Sequence, residues 1–307
     1  MSAASSSKLS LYGGITANVA IAISKFVAAY VTGSSAMLSE GIHSLVDTGN
    51  GGLLLYGISR SQRPADAQHP FGHGKELYFW ALIVAVLIFA IGGGMSFYEG
   101  IKHLEHPEPL TDPRWNYIVL GISIVFEGAA AWLAIRALLE KQAPGGSFWH
   151  TLRTSRDPAV FASVLENAAA VAGLVIALLG VYFGHLLHNP LFDGGASIII
   201  GLLLMGVAIL LVSRTKDLLT GEGASAEIVQ QVQEVARQTP GVQHVRPPLT
   251  MYLAPDEVML ALDIDFEDQL TAVQVEAAVE AVQDAIRAEH PEFKRIFIEA
   301  KSLAGRL

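Results

Sequence analysis

Ser39-Glu40-Gly41-Ile42-His43-Ser44-Leu45-Val46-Asp47-Thr48-Gly49-Asn50 sits in the middle of a mostly apolar stretch, residues 35–58. A bilayer-spanning helix needs about 20 such residues. An ionisable group inside a span costs roughly 2.5–3.5 kcal/mol on insertion scales, so each one needs a physical reason. His43 and Asp47 are four residues apart and share one helical face. That spacing presents an imidazole nitrogen and a carboxylate to a single ion. The pair reads as part of an ion path.

Working outward, five more apolar stretches appear, near 9–31, 77–101, 115–139, 159–183 and 191–213. Short turns separate them: Thr32-Gly33-Ser34, Arg63-Pro64, His106-Pro107-Glu108-Pro109, Pro144-Gly145-Gly146 and Asn189-Pro190. Six spans put both termini on one side. Lys and Arg mark the cytoplasmic side. Ten fall on one side (Lys8, Arg60, Arg63, Lys75, Arg136, Lys141, Arg153, Arg156, Arg214 and Lys216) and two on the other, Lys102 and Arg114. Both termini are therefore expected in the cytoplasm. About eight residues precede the first span, too few for a transit peptide, and that span is too long for a signal sequence. The expected location is a prokaryotic inner or plasma membrane.

Composition agrees. Of 307 residues, 51% are hydrophobic and 16% charged, against about 25% charged in soluble domains. The mean hydropathy is +0.42. The net charge of −9 argues against nucleic-acid binding. With no cysteine, disulfides and thiolate chemistry are excluded, and any metal is held by nitrogen and oxygen.

The charge is unevenly distributed. Residues 1–216 carry 13 Lys and Arg and 13 Asp and Glu; residues 217–307 carry 7 and 16, the whole net −9. Two bodies are expected: a neutral six-helix transmembrane bundle over 1–216, and a small cytoplasmic α+β domain over 217–307. In the tail, Ser225 caps a helix reaching Gln238. Val242–Val245, Leu249–Leu253, Val258–Phe266 and Phe293–Glu299 read as strands. A helix begins at Thr271 with Val273, Val275, Ala278, Val279, Val282 and Ile286 on its buried stripe. A domain of about 85 residues is marginal by itself.

Other spans carry polar residues too: Asn18 and Lys25 in the first, Glu127 in the fourth, and Ser163, Glu166 and Asn167 in the fifth. Asn18, Asn50 and Glu127 fit interhelical hydrogen bonds as well as an ion path. Lys25 is expected to snorkel or to pair with an acid. The loop after the second span holds Asp66, His69 and His73 within eight residues, with Gly72 and Gly74 able to bend the backbone around an ion. The alternative is an ordinary polar loop.

Ser39–Asn50 followed by His69-Pro-Phe-Gly-His73-Gly-Lys75 resembles the cation diffusion facilitator family of divalent-metal transporters. The resemblance extends over nearly the whole chain, including Asp193-Gly-Gly-Ala-Ser at the start of the sixth span. It implies a homodimer that exports Zn²⁺ or a similar ion from the cytoplasm against inward proton flow, without a resident cofactor. It further implies a transport site of two ligands from span two, His43 and Asp47, and two from span five. The span-five positions usually read His-x-x-x-Asp; here they are Ser163 and Asn167. Leu165-Glu166-Asn167 is similar to a branch with Glu-Asp, which includes a mitochondrial zinc transporter, and Asn167 replaces that Asp. The implied transport site is thus His43, Asp47 and Glu166, with Asn167, Ser163 or water as fourth ligand. Asp66, His69 and His73 match the family's accessory loop site. The tail holds only His244 and His290, so no zinc pair is expected there. His103, His106, His150, His185 and His188 fall near span ends and read as interfacial.

One imidazole and two carboxylates neutralise one Zn²⁺, and protons compete for the same atoms, with His43 as the natural coupling group. Oxygen-rich variants suit Mn²⁺ or Fe²⁺. A non-transporting scaffold with the same fold is the alternative from another class. An intramembrane metalloprotease would need His-Glu-x-x-His, which is absent, and no enzymatic activity is expected.

Overall fold

A computed structural model describes residues 3–107, 112–140, 147–148, 151–152 and 157–301, with backbone alone before Asn18. Pro144-Gly145-Gly146, Glu108-Pro109, Lys141, His150, Arg153 and Arg156 lie outside the described residues.

Long helices occupy all six apolar stretches. They are α1 (Ala3–Thr32), α2 (Ser35–Ser61), α3 (Glu76–Glu105), α4 (Arg114–Leu139), α5 (Pro158–Leu186) and α6 (Leu191–Thr220). Helices α3, α4, α5 and α6 are long and apolar enough to cross a membrane; the described side chains of α1 give a shorter apolar segment, Asn18–Thr32. Six mostly apolar spans were expected; four helices meet the length and apolarity of a crossing, and α2 is the least apolar of the rest. Its 27 residues include Glu40, His43, Asp47, Asn50 and five glycines before Arg60, which lower its hydropathy without stopping the helix. Helix α5 begins where Asp157 accepts hydrogen bonds from the Ala159 and Val160 amides, with Pro158 in the first turn.

The chain divides into two compact units, residues 1–58 with 79–215, and residues 59–78 with 216–307. The first is the helical bundle. Its core joins Ala36 and Met37 of α2, Val84 and Ile88 of α3, Leu120 of α4, Leu174 and Ala177 of α5, and Ile200 and Leu204 of α6. Helix α3 contains one π-helical turn, Ile88–Gly93. Where α3 meets α6 the backbones nearly touch: a Cβ on Gly201 would lie 2.7 Å from the Phe97 nitrogen, and one on Gly93 would lie 2.6 Å from Met205 Cγ. Small residues allow such approach between membrane helices.

The second unit holds α7 (Ala226–Arg237), β1 (Val242–Val245), β2 (Leu249–Ala254), β3 (Glu257–Phe266), α8 (Ala272–Glu289) and β4 (Arg295–Lys301). Strand β3 is central: β1 and β2 pair antiparallel along it, and β4 pairs parallel. The parallel pair needs a crossover, and α8 supplies it. Val258, Leu260, Leu262, Ile264 and Phe266 alternate inward onto Val232 and Ala236 of α7 and Ala278, Val282 and Ile286 of α8. Ser225 caps α7, accepting from the Ile228 amide at 3.4 Å, and Thr271 with Gln274 forms a capping box on α8. Val273, expected on the buried stripe, is 74% exposed; it sits in the first turn of α8, beyond the edge of the sheet's core. The loop after α2 packs in this unit. Arg295 lies 5.4 Å over the Phe71 ring, and Lys75 Nζ donates to Met251 Sδ at 3.6 Å. Helix α6 continues to Thr220, so the change in charge composition at 216/217 falls inside it.

Candidate metal centre

The start of α2 is fixed by a carboxylate from α6. Asp193, fully buried, accepts from Ser34 Oγ at 2.6 Å, the Ser35 amide at 2.6 Å, Ser35 Oγ at 3.1 Å and the Ala36 amide at 3.2 Å. The first turn of a helix leaves amide donors unpaired and carries positive partial charge, and an aspartate answers both. Ser197 Oγ donates to Ser35 Oγ at 2.9 Å, and Ser39 Oγ to Ser197 Oγ at 3.2 Å, extending the seam between α2 and α6. The polar face of α2 is thereby held in one rotation.

One turn further, Lys25 of α1 meets that face. Its ammonium is wholly buried, donates to Glu40 Oε2 at 3.0 Å and Ser44 Oγ at 2.7 Å, and lies 3.8 Å from Glu127 Oε1 of α4. Lys25 therefore pairs with acids and does not snorkel. The ammonium neutralises Glu40 inside the bundle.

His43 Nε2 is 3.4 Å from Asp47 Oδ2, and the imidazole is 2% exposed. Neither ring nitrogen makes a hydrogen bond, and neither do Asp47 Oδ1 or Asn50 Oδ1. Buried polar atoms nearly always find partners, and exceptions call for a bound ion, water or function. Asn50 Nδ2 donates to Glu166 Oε1 at 3.2 Å, joining α2 to α5. A cavity of about 310 Å³ is lined by Asn18, Ser44, Asp47, Glu127, Glu166 and Asn167 among apolar residues of α4. Carboxylates from α2, α4 and α5 thus face one space, with His43 beside Asp47. Asn167 holds to its own helix, Nδ2 donating to Ser163 O at 2.7 Å and to Ser163 Oγ at 3.2 Å.

The second cluster is in the loop after α2. One ligand atom from each of Asp66, His69 and His73 lies within 4.8 Å of the others, the only such group of three among the described residues. Asp66 Oδ1 accepts from the His69 amide at 2.7 Å and the Gln68 amide at 2.9 Å, closing a turn. Asp66 Oδ2 is 3.1 Å from His73 Nε2, and Oδ1 is 3.3 Å from His69 Nδ1. The His69 amide, then His73, hold the Asp66 carboxyl down at about 2, so it is ionised at neutral pH. Gly72 has φ +84°, and a Cβ on Gly74 would lie 2.5 Å from Leu253 O, so both positions require glycine.

Sequence reasoning missed three supporting groups. Glu76 Oε1 lies 3.1 Å from His73 Nδ1, while Arg60 grips Glu76 through Nε at 2.8 Å and Nη2 at 3.0 Å. This is the outer carboxylate that typically orients a ligating histidine, and its spacing three residues after His73 was the available signal. Asp193 and His103 are the others. His103 was expected at an interface and is instead buried, 8% exposed, with Nε2 making no hydrogen bond. The close α3–α6 contact encloses it at that end of the bundle. His185 and His188 are exposed at the end of α5. In the tail, His244 is exposed, and His290 Nδ1 pairs with Glu292 Oε1 at 3.2 Å.

Apolar helices of spanning length, packed around buried polar side chains, define a multi-pass membrane protein. Residues 11–220 match the cation efflux transmembrane domain, and residues 224–301 match the cation efflux protein, cytoplasmic domain. The chain belongs to the cation efflux family. Among its relatives is the mouse (Mus musculus) mitochondrial proton-coupled zinc antiporter SLC30A9, 37% identical over 247 residues, 80% of this chain and 44% of that protein. Metal tolerance protein C4 of Arabidopsis thaliana is 32% identical over 80% of this chain and 54% of its own length. The cation-efflux pump FieF of Escherichia coli is 27% identical over 91% of each chain. The chain therefore spans about half the length of the animal and plant relatives.

Proposed function

We propose that this protein exports a divalent metal, Zn²⁺ foremost, from the cytoplasm in exchange for protons. The observation that carries the proposal is the buried His43, with neither ring nitrogen hydrogen-bonded and Nε2 facing Asp47, which lines a cavity with Glu166. The transport site is His43, Asp47 and Glu166, with Asn167, Ser163 or water completing four ligands. One neutral imidazole and two carboxylates cancel the charge of one M²⁺, so the loaded site leaves no net charge in the bilayer. Lys25 cancels Glu40 separately and keeps that acid from competing. Zinc accepts this nitrogen-and-oxygen donor set in four-coordinate form, while more oxygen-rich coordination would favour Mn²⁺ or Fe²⁺.

Metal and protons compete for the same donor atoms. Protons arriving from the far side displace the metal, and their release into the cytoplasm readies the site again. Against about 100 mV, negative inside, moving two charges outward costs about 4.6 kcal/mol, so export of M²⁺ needs coupling. The relatives named zinc antiporter and efflux pump support this direction. Asp66, His69 and His73, braced by Glu76 and Arg60, form an accessory site that gathers metal before transport.

The same proposal takes α1 to α6 as six crossings, with the Lys and Arg bias putting both termini in the cytoplasm. It treats residues 1–216 as the membrane domain and 217–307 as the cytoplasmic domain, through which two copies pair. The membrane is a prokaryotic inner or plasma membrane, in keeping with the near end-to-end match to the Escherichia coli pump. The test is flux in proteoliposomes, comparing Zn²⁺, Mn²⁺, Fe²⁺, Co²⁺ and Cd²⁺ with and without a pH gradient. Zn²⁺ movement that speeds up with an opposing proton gradient is expected; movement indifferent to pH would remove the antiport.

A further inference from the structure

The loop that carries Asp66, His69 and His73 is pinned at its base by an ion pair between two helices. Arg60, in the last turn of α2, donates to Glu76, which opens α3, from Nε to Oε2 at 2.8 Å and from Nη2 to Oε1 at 3.0 Å. Glu76 Oε1 also meets His73 Nδ1 at 3.1 Å. We infer that Arg60 is a positioning residue of the loop centre: acting through Glu76, it selects Nε2 of His73 as the ligand atom and aims it at the space beside Asp66. The inference rests on reading Asp66, His69 and His73 as a metal centre, and not on the direction of transport.

The chemistry of the donor atoms makes the selection. A carboxylate held by a guanidinium can only accept, so the imidazole edge that faces Glu76 is the N–H edge. The lone pair available to a metal is then on Nε2, because the bond made by one ring nitrogen decides what the other can do. Nε2 of His73 faces Asp66 Oδ2 at 3.1 Å, and His69 presents Nδ1 to Asp66 Oδ1 at 3.3 Å. The centre therefore mixes the two imidazole nitrogens, Nε2 from His73 and Nδ1 from His69. The two rings lie 4.2 Å apart with a 38° tilt, so each limits the rotation of the other. The His73 side chain is 5% exposed and that of His69 53%. His73 is the fixed member of the pair, and it is the one that Glu76 holds.

Glu76 needs Arg60 for this. Its side chain is 24% exposed and that of Arg60 29%, so the pair itself adds little to stability. What the guanidinium adds is geometry: its planar fork fixes both carboxylate oxygens at once, which a single ammonium could not do. Without it, Glu76 could rotate away from His73 or turn an oxygen toward the metal. His73 lies in a loop, and ligands on loops are placed less accurately than ligands on helices. Arg60 and Glu76 tie that loop ligand to the ends of two helices.

The experiment uses the full chain in nanodiscs with Asp47→Ala, which silences the transport site. Co²⁺ is titrated, and the binding that Asp66→Ala abolishes is assigned to the loop. Arg60→Met and Glu76→Gln should each weaken that binding by about ten- to a hundredfold. Arg60→Lys, which keeps the charge and loses the fork, should fall between them and the parent. A second readout separates positioning from a merely structural role: ¹⁵N spectra of histidine-labelled, Zn²⁺-loaded protein. Ligation through Nε2 of His73 is expected in the parent, and a mixture of Nδ1 and Nε2 in Arg60→Met. Unchanged or tighter Co²⁺ binding in Arg60→Met, or ligation through Nδ1 of His73 in the parent, overturns the inference. Absence of Co²⁺ binding that depends on Asp66 in the parent would instead overturn the reading of the loop as a metal centre, so the two failures are distinguishable.

Discussion

Lys25→Met is the substitution with the largest effect that the bundle's geometry implies outside the transport site. The ammonium donates to Glu40 and Ser44 with no exposure of either charged side chain. Removing it strands the Glu40 carboxylate, which has no route to water. Its Oε1 has no partner, and it rests against Gly173 of α5, where even a Cβ would not fit. Two interhelical hydrogen bonds at about 0.6–1.7 kcal/mol each give roughly 1–3 kcal/mol. The uncompensated charge raises the total to about 3–5 kcal/mol. Adding Glu40→Gln removes that charge and should recover at least about 2 kcal/mol. The assay is reversible unfolding in mixed detergent micelles at fixed pH, applied to both single variants and the double. A Lys25→Met loss under about 1 kcal/mol, or a double variant equal to the sum of the singles, would refute the pairing as the reason Lys25 is tolerated in the bundle.

Other outcomes follow from the same contacts. Asp193→Asn leaves one acceptor oxygen where four donors converge, and should cost about 2 kcal/mol in the same unfolding assay. Asp66 has a lowered pKa, so its stabilising contacts are complete above its ordinary value of 3.8 and lost as pH falls through about 2; exchange of the His69 amide should remain slow down to about pH 3 and accelerate below it. Asn167→Asp adds a carboxylate to the cavity and removes the donor that ties residue 167 to Ser163. It should lower the KM for Zn²⁺ about tenfold, equivalent to about 1.4 kcal/mol, and slow turnover through slower release.

The helices were legible because long helical segments advertise themselves locally, four of them through spanning length and apolarity. The His43 and Asp47 pair was legible for a related reason: it breaks that apolarity at a fixed helical spacing. The tail's alternation from Val258 to Phe266 likewise encodes its own burial. The partners of these groups were not legible. Lys25 could have met any of several acids, and only the packing of α1 on α2 selects Glu40. Asp193 caps a helix that begins 158 residues earlier, a relation that no window of sequence contains. His103 sits near a span end, where exposure is the ordinary expectation; the close α3–α6 approach buries it. Val273 fits the periodicity of α8 but lies a turn too early to reach the sheet. The loop after α2 looked like a connection within the membrane body, yet its Phe71 and Lys75 pack on β4 and β2 side chains.

The most direct test of the central claim is Zn²⁺-dependent proton flux in proteoliposomes for the native chain and for His43→Ala, Asp47→Asn and Glu166→Gln, each first shown to be folded. The account predicts flux in the native protein and its loss in all three variants. Undiminished flux in His43→Ala or Asp47→Asn would contradict it.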